Sequence, residues 1–409
     1  MREIDLVIIG GGAAGMSGAL GALNNGTQSI LIIEKESDVG GILNQCIHNG
    51  FGLHTFKEEL SGPSYAEKYY NQLDLNKIEI KYESQVISIS EDKILLISSK
   101  DGYEEIKAKA ILLASGSKER TGAVISLKGD RPIGVYTAGT AQKYLNIDGI
   151  LVGKKVFILG SGDIGLIMAR RMTLEGAKVL GVAELMPYSN GLARNIKQCL
   201  EDFDIPLHLS HTVTRVIGYP RLKAIELAKV DENRQVIEDT KQIIECDCLL
   251  LSVGLIPDDS LIEDLNVKMA KNVIVDNNYM SSIPGIFLAG NALHIHDLVD
   301  FVSSEGYEAG VACAHYIKDN KVAEIKHHSI VGDGIGYIIP QVFDDSDVTF
   351  SFRVNRIFKK CKIHIVGDGI DKTINKLSLV PSEMERIKLT KEELSNIKGD
   401  LKIEVLSWI

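Results

Sequence analysis

The chain opens on a charged residue, an apolar run of β type and a glycine cluster: residues 5–15 read DLVIIGGGAAG. The same order returns 150 residues later, where residues 155–165 read KVFILGSGDIG. In each copy a helix-period stretch follows and ends at a glycine, Gly26 or Gly176, before a second apolar run, SILIIE or KVLGVAE. Short apolar runs alternating with helical stretches predict strand–helix–strand units built on parallel sheets. Residues 302–318, VSSEGYEAGVACAHYIK, read as a further helix. From about residue 326 the period falls to two, in DVTFSFRV and CKIHIVG, and KIEVLSWI closes the chain. The tail, residues 326–409, therefore reads as a small, mostly β domain.

The spacing inside the repeat carries chemistry. The first glycine of each copy (Gly10, Gly160) permits a tight strand-to-helix turn. The second (Gly12, Gly162) leaves room for a pyrophosphate against bare backbone, and the third (Gly15, Gly165) lets helix and strand pack closely. Ala13 and Ala14, and in the second copy Asp163 and Ile164, fall in the first helical turn, whose unpaired N–H groups face the phosphates. Glu34 and Glu184 each lie 19 residues beyond the third glycine, at the end of the second run, where an acid accepts hydrogen bonds from ribose hydroxyls. One GxGxxG is weak evidence; the whole unit twice in one register predicts two dinucleotide sites. The fold class expected is α/β, with two Rossmann-like three-layer domains and a small, mostly-β C-terminal domain. Glu184 stands where a 2′-phosphate would lie, and the following LMPYSNG has no Lys or Arg, so NAD(H) is favoured over NADP. Arg170 and Arg171, on the preceding helix, are expected to point to solvent. A second fold that has kept its shape and lost its ligand is the alternative.

Composition narrows the setting. A length of 409 residues suggests two or three domains. With 45 Lys and Arg against 55 Asp and Glu, the net charge is −10 and no long basic run occurs, which argues against nucleic acid and anionic membranes as partners. The cysteines at 46, 199, 246, 248, 313 and 361 form no CxxC, which suits a reducing compartment, and the cytoplasm is expected. Cys246 and Cys248, inside the apolar CDCLLLSVG, are expected to be buried in a sheet. Residues Leu6 to Leu23 carry no charge, but six of them are glycines and the chain starts MREID, so no membrane span is expected.

These residues resemble the two-dinucleotide flavoprotein superfamily, the pyridine nucleotide–disulfide oxidoreductase-like enzymes, over about the first 325 positions. The resemblance implies FAD in the first fold and a nicotinamide dinucleotide in the second. It also implies further FAD contacts: the paired Gly40-Gly41 after Glu34-Lys35; Val86 in YESQVISI; the turn Ala114-Ser115-Gly116; and MSSIPGIFLAGN, ending in Gly290 and Asn291. The family's acid at the last position is Asn here, which keeps an acceptor and loses the charge. LLLSVGLIPDD, with Gly254, resembles the second crossing strand. The implied domains are FAD-binding (1–117 and 260–325) and NAD(H)-binding (118–259); the β-rich tail (326–409) does not closely resemble the family's usual dimerisation domain and is read as a docking or interface module. In relatives the start of the helix after residue 302 points at the flavin, where its positive end stabilises reduced flavin.

Disulfide reductases of this superfamily carry two cysteines after the paired glycine. Those positions fall on Leu43 and His48 here, with Cys46 alone between them. One thiol cannot cycle through an intramolecular disulfide. His48 becomes the candidate catalytic residue beside the flavin, with His54, Cys46, His294, His296 and Asp297 as weaker candidates. Two His two apart with an Asp suggest a metal, but no third ligand cluster is visible in the sequence, and none is expected. NQCIHNGFGLHTFKEELSGPSYAEKY and ELMPYSNGLARNIKQCLEDF resemble the subunits associated with glycerol-3-phosphate dehydrogenase-like flavoproteins and the A subunits of opine, hydroxyproline and hydrogen cyanide-forming dehydrogenases. This implies a partner flavoprotein dehydrogenase, an iron–sulfur partner, or both, since Cys361 alone cannot hold a cluster in the tail. A second copy of the chain is also an allowed partner. Three readings stand: an NAD(H)–FAD electron-transfer subunit, a self-contained NADH oxidase or quinone-type reductase, and a non-catalytic FAD-loaded assembly subunit.

Overall fold

The structure is a computed structural model that describes residues 1–407; the end of the closing run, 408–409, lies outside the described residues. The chain forms two compact units, one of residues 1–117 with 257–409 and one of residues 118–256.

In the first unit the strand Arg2–Ile9 lies between Ile30–Ile33 and Gly102–Leu113, parallel to both. Ile78–Lys81 extends the sheet beyond Ile30–Ile33, and Ile286–Leu288 adds in parallel to Gly102–Leu113. Antiparallel strands Ile94–Ser99 and Ser84–Ile89 complete it. Leu6, Val7 and Ile8 have no exposed surface. That is why the strand is continuously apolar rather than alternating: a parallel sheet is covered on both faces.

The glycine-rich stretch after this strand is the helix Ala13–Asn24, which packs along Val299–Asp319. A Cβ at Gly21 would stand 2.2 Å from Tyr307 O, and one at Gly310 would stand 2.0 Å from Gly18 O. The uncharged run from Leu6 to Leu23 is thus a buried strand and a helix stripped of side chains to meet its neighbour. Among the described residues no helix is long and apolar enough to cross a membrane. The helix expected from residue 302 begins earlier, at Val299, because the apolar Val299 and Val302 pack on the same core.

The tail builds a five-stranded sheet and a three-stranded antiparallel sheet around Phe350, Phe352, Phe358 and Ile363. It has its own core yet lies within the first unit. Ile339 joins the core under the N-terminal sheet, Gln341 bonds Val275 N and Val273 O, and Arg353 bonds Ile295 O and Asp297.

The second unit centres on a parallel sheet in the order Val135–Thr137, Cys248–Leu251, Lys155–Leu159, Lys178–Glu184, Leu207–Leu209. A four-stranded sheet, Lys128–Gly129, His211–Ile217, Ala224–Lys229 and Gln242–Glu245, lies beside it. Cys246 and Cys248 are buried, and desolvation pushes both thiols up to about 12, so they act as small apolar groups. Arg171 departs from expectation. It is half-buried rather than in solvent, because Asn146 Oδ1 accepts from its Nε at 2.9 Å and Glu175 pairs with its Nη2 at 2.7 Å.

Asp276, 4% exposed, accepts the N–H groups of Asn278 and Met280 on the single oxygen Oδ1. Burial pushes its pKa from 3.8 up to about 6. Between those values the folded protein holds a proton that the unfolded chain releases, so stability falls as pH rises through that window and levels above it. Asn keeps the accepting oxygen without the charge. Asp276→Asn is expected to gain on the wild type with rising pH, reaching about 3 kcal/mol at pH 8, read from denaturant unfolding between pH 4 and 8.

Candidate dinucleotide sites

The first turn leaves the strand at Gly10, whose φ of +103° is open only to glycine. Gly10 also lies against the backbone of the neighbouring strand end, with a Cβ there only 2.5 Å from Ala114 O. Gly12 is the N-cap of the helix, in extended conformation, and no side chain caps the helix. A Cβ on Gly12 would meet nothing within 4 Å, so the backbone faces open space. Gly15 is the opposite case, with a Cβ there 1.9 Å from Gly10 O. The three glycines therefore do three different jobs: turn, bare surface and helix-to-turn contact.

Glu34 ends the second strand and is 4% exposed. Its Oε2 accepts from Gly11 N at 2.8 Å and its Oε1 from Glu36 N at 2.9 Å. A carboxylate has about four acceptor sites, so capacity for sugar hydroxyls remains after the carboxylate has pinned its own glycine turn. Lys35 points to solvent. Gly40 N donates to Gly11 O at 2.8 Å, and a Cβ on Gly41 would lie 3.5 Å from Gly12 Cα, so the paired glycines close over the turn. Ser84 N donates to Glu34 O, which brings the start of the Val86 strand to the same end of the sheet. Ser115 Oγ donates to Asp258 O at 2.5 Å, and Asp258 N donates to Gly116 O at 3.0 Å. Gly290 follows Ile286–Leu288, with its N–H donated to Glu305 Oε1 at 2.7 Å and a Cβ there 2.9 Å from Ala14 Cβ. Asn291 Oδ1 accepts from His296 N at 2.9 Å. Gly10, Gly12, Ala13, Ala14, Gly15, Glu34, Gly40, Gly41 and Gly290 thus gather at one end of one sheet. Bare backbone, an uncapped helix start and a buried acid there fit an adenine dinucleotide.

The second unit repeats the arrangement. Gly160 has φ +100°, Gly162 is the extended N-cap, and a Cβ on Gly165 would stand 2.5 Å from Gly160 O. Glu184 is 5% exposed; its Oε2 accepts from Ser161 N at 3.0 Å and its Oε1 from Met186 N at 2.9 Å, atom for atom as Glu34 does. One further bond distinguishes it, Ser161 Oγ to Glu184 Oε2 at 2.6 Å. Gly11 cannot be Ser in the same way, because a Cβ there would be 2.7 Å from Val39 Cγ1. The Asp163 side chain is turned to its own protein: its Oδ1 accepts from Leu192 N at 2.9 Å and Asn195 Nδ2 at 2.7 Å. Ile164 is half-buried, packed against the core of that sheet. Gly254, at φ +103°, receives Arg120 N on its carbonyl.

His48 lies in the loop after the short helix Gly41–Gln45, with Nδ1 3.0 Å from Asn49 O and its ring 5.0 Å from Phe51. His54 is exposed, 5.9 Å from the Phe301 ring. Desolvation pushes the Cys46 thiol up to about 12, which leaves it a poor nucleophile. Asp300, in the first turn of Val299–Asp319, accepts from Thr55 N at 2.8 Å. Three groups escaped the sequence reading. Ser161 lies between two glycines, Glu305 lies inside a helix, and Tyr337 belongs to the tail. The contacts of Glu305 and Tyr337 to His294 join separate elements and leave no local signal.

A family model described as pyridine nucleotide-disulphide oxidoreductase matches residues 4–323, and the chain belongs to that family. It is an FAD- and pyridine-nucleotide-dependent oxidoreductase. The chain is 25% identical over 337 residues to dihydrolipoyl dehydrogenase of Acholeplasma laidlawii, covering 75% of this chain and 95% of that one. It is 22% identical over 331 residues to hydrogen cyanide synthase subunit HcnB of Pseudomonas aeruginosa, covering 75% and 68%. Its fold matches the crystal structure of T. acidophilum thioredoxin reductase with a TM-score of 0.63 at 24% identity, over 77% of this chain and 99% of that one.

The open side of Gly12 and the closed side of Gly15 separate binding from folding. Gly12→Val is expected to leave the melting temperature of the FAD-free protein within a degree or two and to weaken FAD binding at least about tenfold, ~1.4 kcal/mol. Gly15→Ala, overpacked against backbone, is expected to lose about 1–3 kcal/mol of stability or fail to fold. Flavin content and thermal melts of the two variants check both.

Proposed function

We propose that the chain is an electron-transfer subunit: it moves electrons between NAD(H), held by the second unit, and FAD, held by the first, and exchanges them with a partner dehydrogenase. The observation that carries this is the doubled turn, in which each buried glutamate pins the glycine loop that leads into an N-cap glycine with no side-chain cap. FAD, when bound, supplies the two-electron redox chemistry. The protein's part is to hold the phosphates on uncapped helix starts, present Glu34 and Glu184 to ribose hydroxyls, and close over the first glycine turn with Gly40 and Gly41.

Glu184 supports NAD(H) over NADP, because a buried carboxylate opposes a 2′-phosphate. Its arginine neighbours are engaged elsewhere: Arg171 on Asn146 and Glu175, and Arg170 over the Phe203 ring. Chemistry without an intrinsic disulfide is supported by the spacing of the cysteines, which offers no neighbouring cysteine to Cys46 in the loop after the paired glycine, and by its thiol being pushed up. A partner is supported by the likeness to a protein that is itself named as a subunit of hydrogen cyanide synthase. His48 sits in the same loop as Cys46 and is the candidate polar group beside the flavin.

Anaerobic NADH added to the purified yellow protein is expected to bleach the flavin band with near one-to-one stoichiometry, and NADPH to do so at least about tenfold more slowly, ~1.4 kcal/mol of discrimination. Gly162→Val, whose Cβ would meet only Ser252 Oγ at 3.7 Å, should keep FAD and lose the bleaching. A wild-type protein that NADH leaves yellow, alone and with its partner, sinks the reading. Rapid oxygen consumption by the chain alone would replace it with a self-contained oxidase.

A further inference from the structure

The loop after Asn291 reads LHIHDLVD and offers two imidazoles with no third ligand in the adjoining sequence. The fold supplies one from the helix that follows. His294, His296 and Glu305 bring two ring nitrogens and a carboxylate oxygen within 4.8 Å of one another. Their side chains are 0%, 2% and 3% exposed, so the cluster is sealed from solvent. Both imidazoles aim Nε2 at the same oxygen, Glu305 Oε2, at 2.8 Å and 3.4 Å, with ring centroids 4.4 Å apart. Asp297, the acid nearest in sequence, takes no part; it pairs with Arg353.

We propose that His294, His296 and Glu305 bind one divalent ion of the zinc class. Two imidazoles and one carboxylate are a ligand set that zinc accepts, with a fourth position left for water. A tetrahedral ion bonded at about 2.0–2.1 Å spaces its ligand atoms roughly 3.3 Å apart. The 3.4 Å pair is already at that spacing, and the 2.8 Å pair has to open by about half an ångström. Two of the three ligands have a supporting partner. Glu305 Oε1 is held by Gly290 N, which leaves Oε2 to the ion. With Nε2 on the metal each ring carries its proton on Nδ1, and Tyr337 Oη stands 3.4 Å from that of His294. His296 Nδ1 is buried without a hydrogen-bond partner, and so is Asn272 Oδ1, whose amide nitrogen bonds Leu293 O beside the loop. The ion would clamp the loop at 290–296 to the helix Val299–Asp319. The assignment stands apart from the electron-transfer reading and does not depend on it.

The test uses the full-length protein, stripped with chelator, reloaded with zinc chloride and passed through gel filtration, with metal counted by mass spectrometry. One zinc per wild-type chain is expected, together with a raised melting temperature and an absorption-edge spectrum showing two imidazoles and no sulfur. His296→Ala and Glu305→Gln are each expected to bind zinc at least about tenfold more weakly. Wild-type protein that retains no zinc at 100 µM overturns the proposal and leaves a hydrogen-bonded triad. A sulfur-ligated ion, or equal binding in folded variants, overturns it as well. The wild-type stoichiometry and spectrum decide the matter even if a variant does not fold.

Discussion

In the first unit the helix Ala13–Asn24 is pressed backbone to backbone against two neighbours. At Gly15 it meets the turn that launches it, and at Gly18 and Gly21 it meets the helix Val299–Asp319. No side chain larger than hydrogen fits at these contacts, and the rest of the unit is arranged around that constraint. The contact fixes the N-terminus of the helix over the sheet end where Gly12 is open, and it draws in a helix almost 300 residues further along the chain. That second helix carries Glu305, which holds Gly290 against Ala14. One packing requirement therefore brings the phosphate turn, the late glycine and the buried imidazoles into one neighbourhood.

The two dinucleotide turns show how the same geometry tolerates different residues. Each is pinned by a glutamate that spends one oxygen on the loop amide and the other on the amide two residues beyond itself. The acid thus has a structural role in the turn itself. The first loop needs glycine at position 11 because Val39 crowds it, whereas the second has room for Ser161 and uses its hydroxyl to tie Glu184 further. The second acid is left with fewer acceptor positions, and the loop that follows is drawn onto the turn through Asp163.

Much of this was legible along the chain because it rests on local rules. A glycine required by positive φ, a buried strand of four apolar residues and an acid at a strand end all leave marks within about 30 residues. Cys246 and Cys248 both read as buried in a sheet and both are buried, but only Cys248 lies in a strand; Cys246 stands in the break between Gln242–Glu245 and Cys248–Leu251. The start of the late helix was read short, since Val299 precedes any clear period. Arg171, expected to point to solvent, is held by Asn146 from another element as well as by Glu175 at the end of its own helix. The tail's attachment rested on Ile339, Gln341 and Arg353, single residues with no pattern to announce them.

What the sequence by itself determined is the doubled strand–turn–helix–strand unit, the dinucleotide class it holds and the acid that ends each unit. These follow from steric limits on a few neighbouring residues. Tertiary structure alone decided what surrounds them. It folded Gly40 and Gly41 over Gly12, set Glu305 against Gly290 and brought His294, His296 and Glu305 together. The physical reason is that such contacts join residues with no common period, so their partners are chosen by how helices and sheets pack rather than by spacing along the chain.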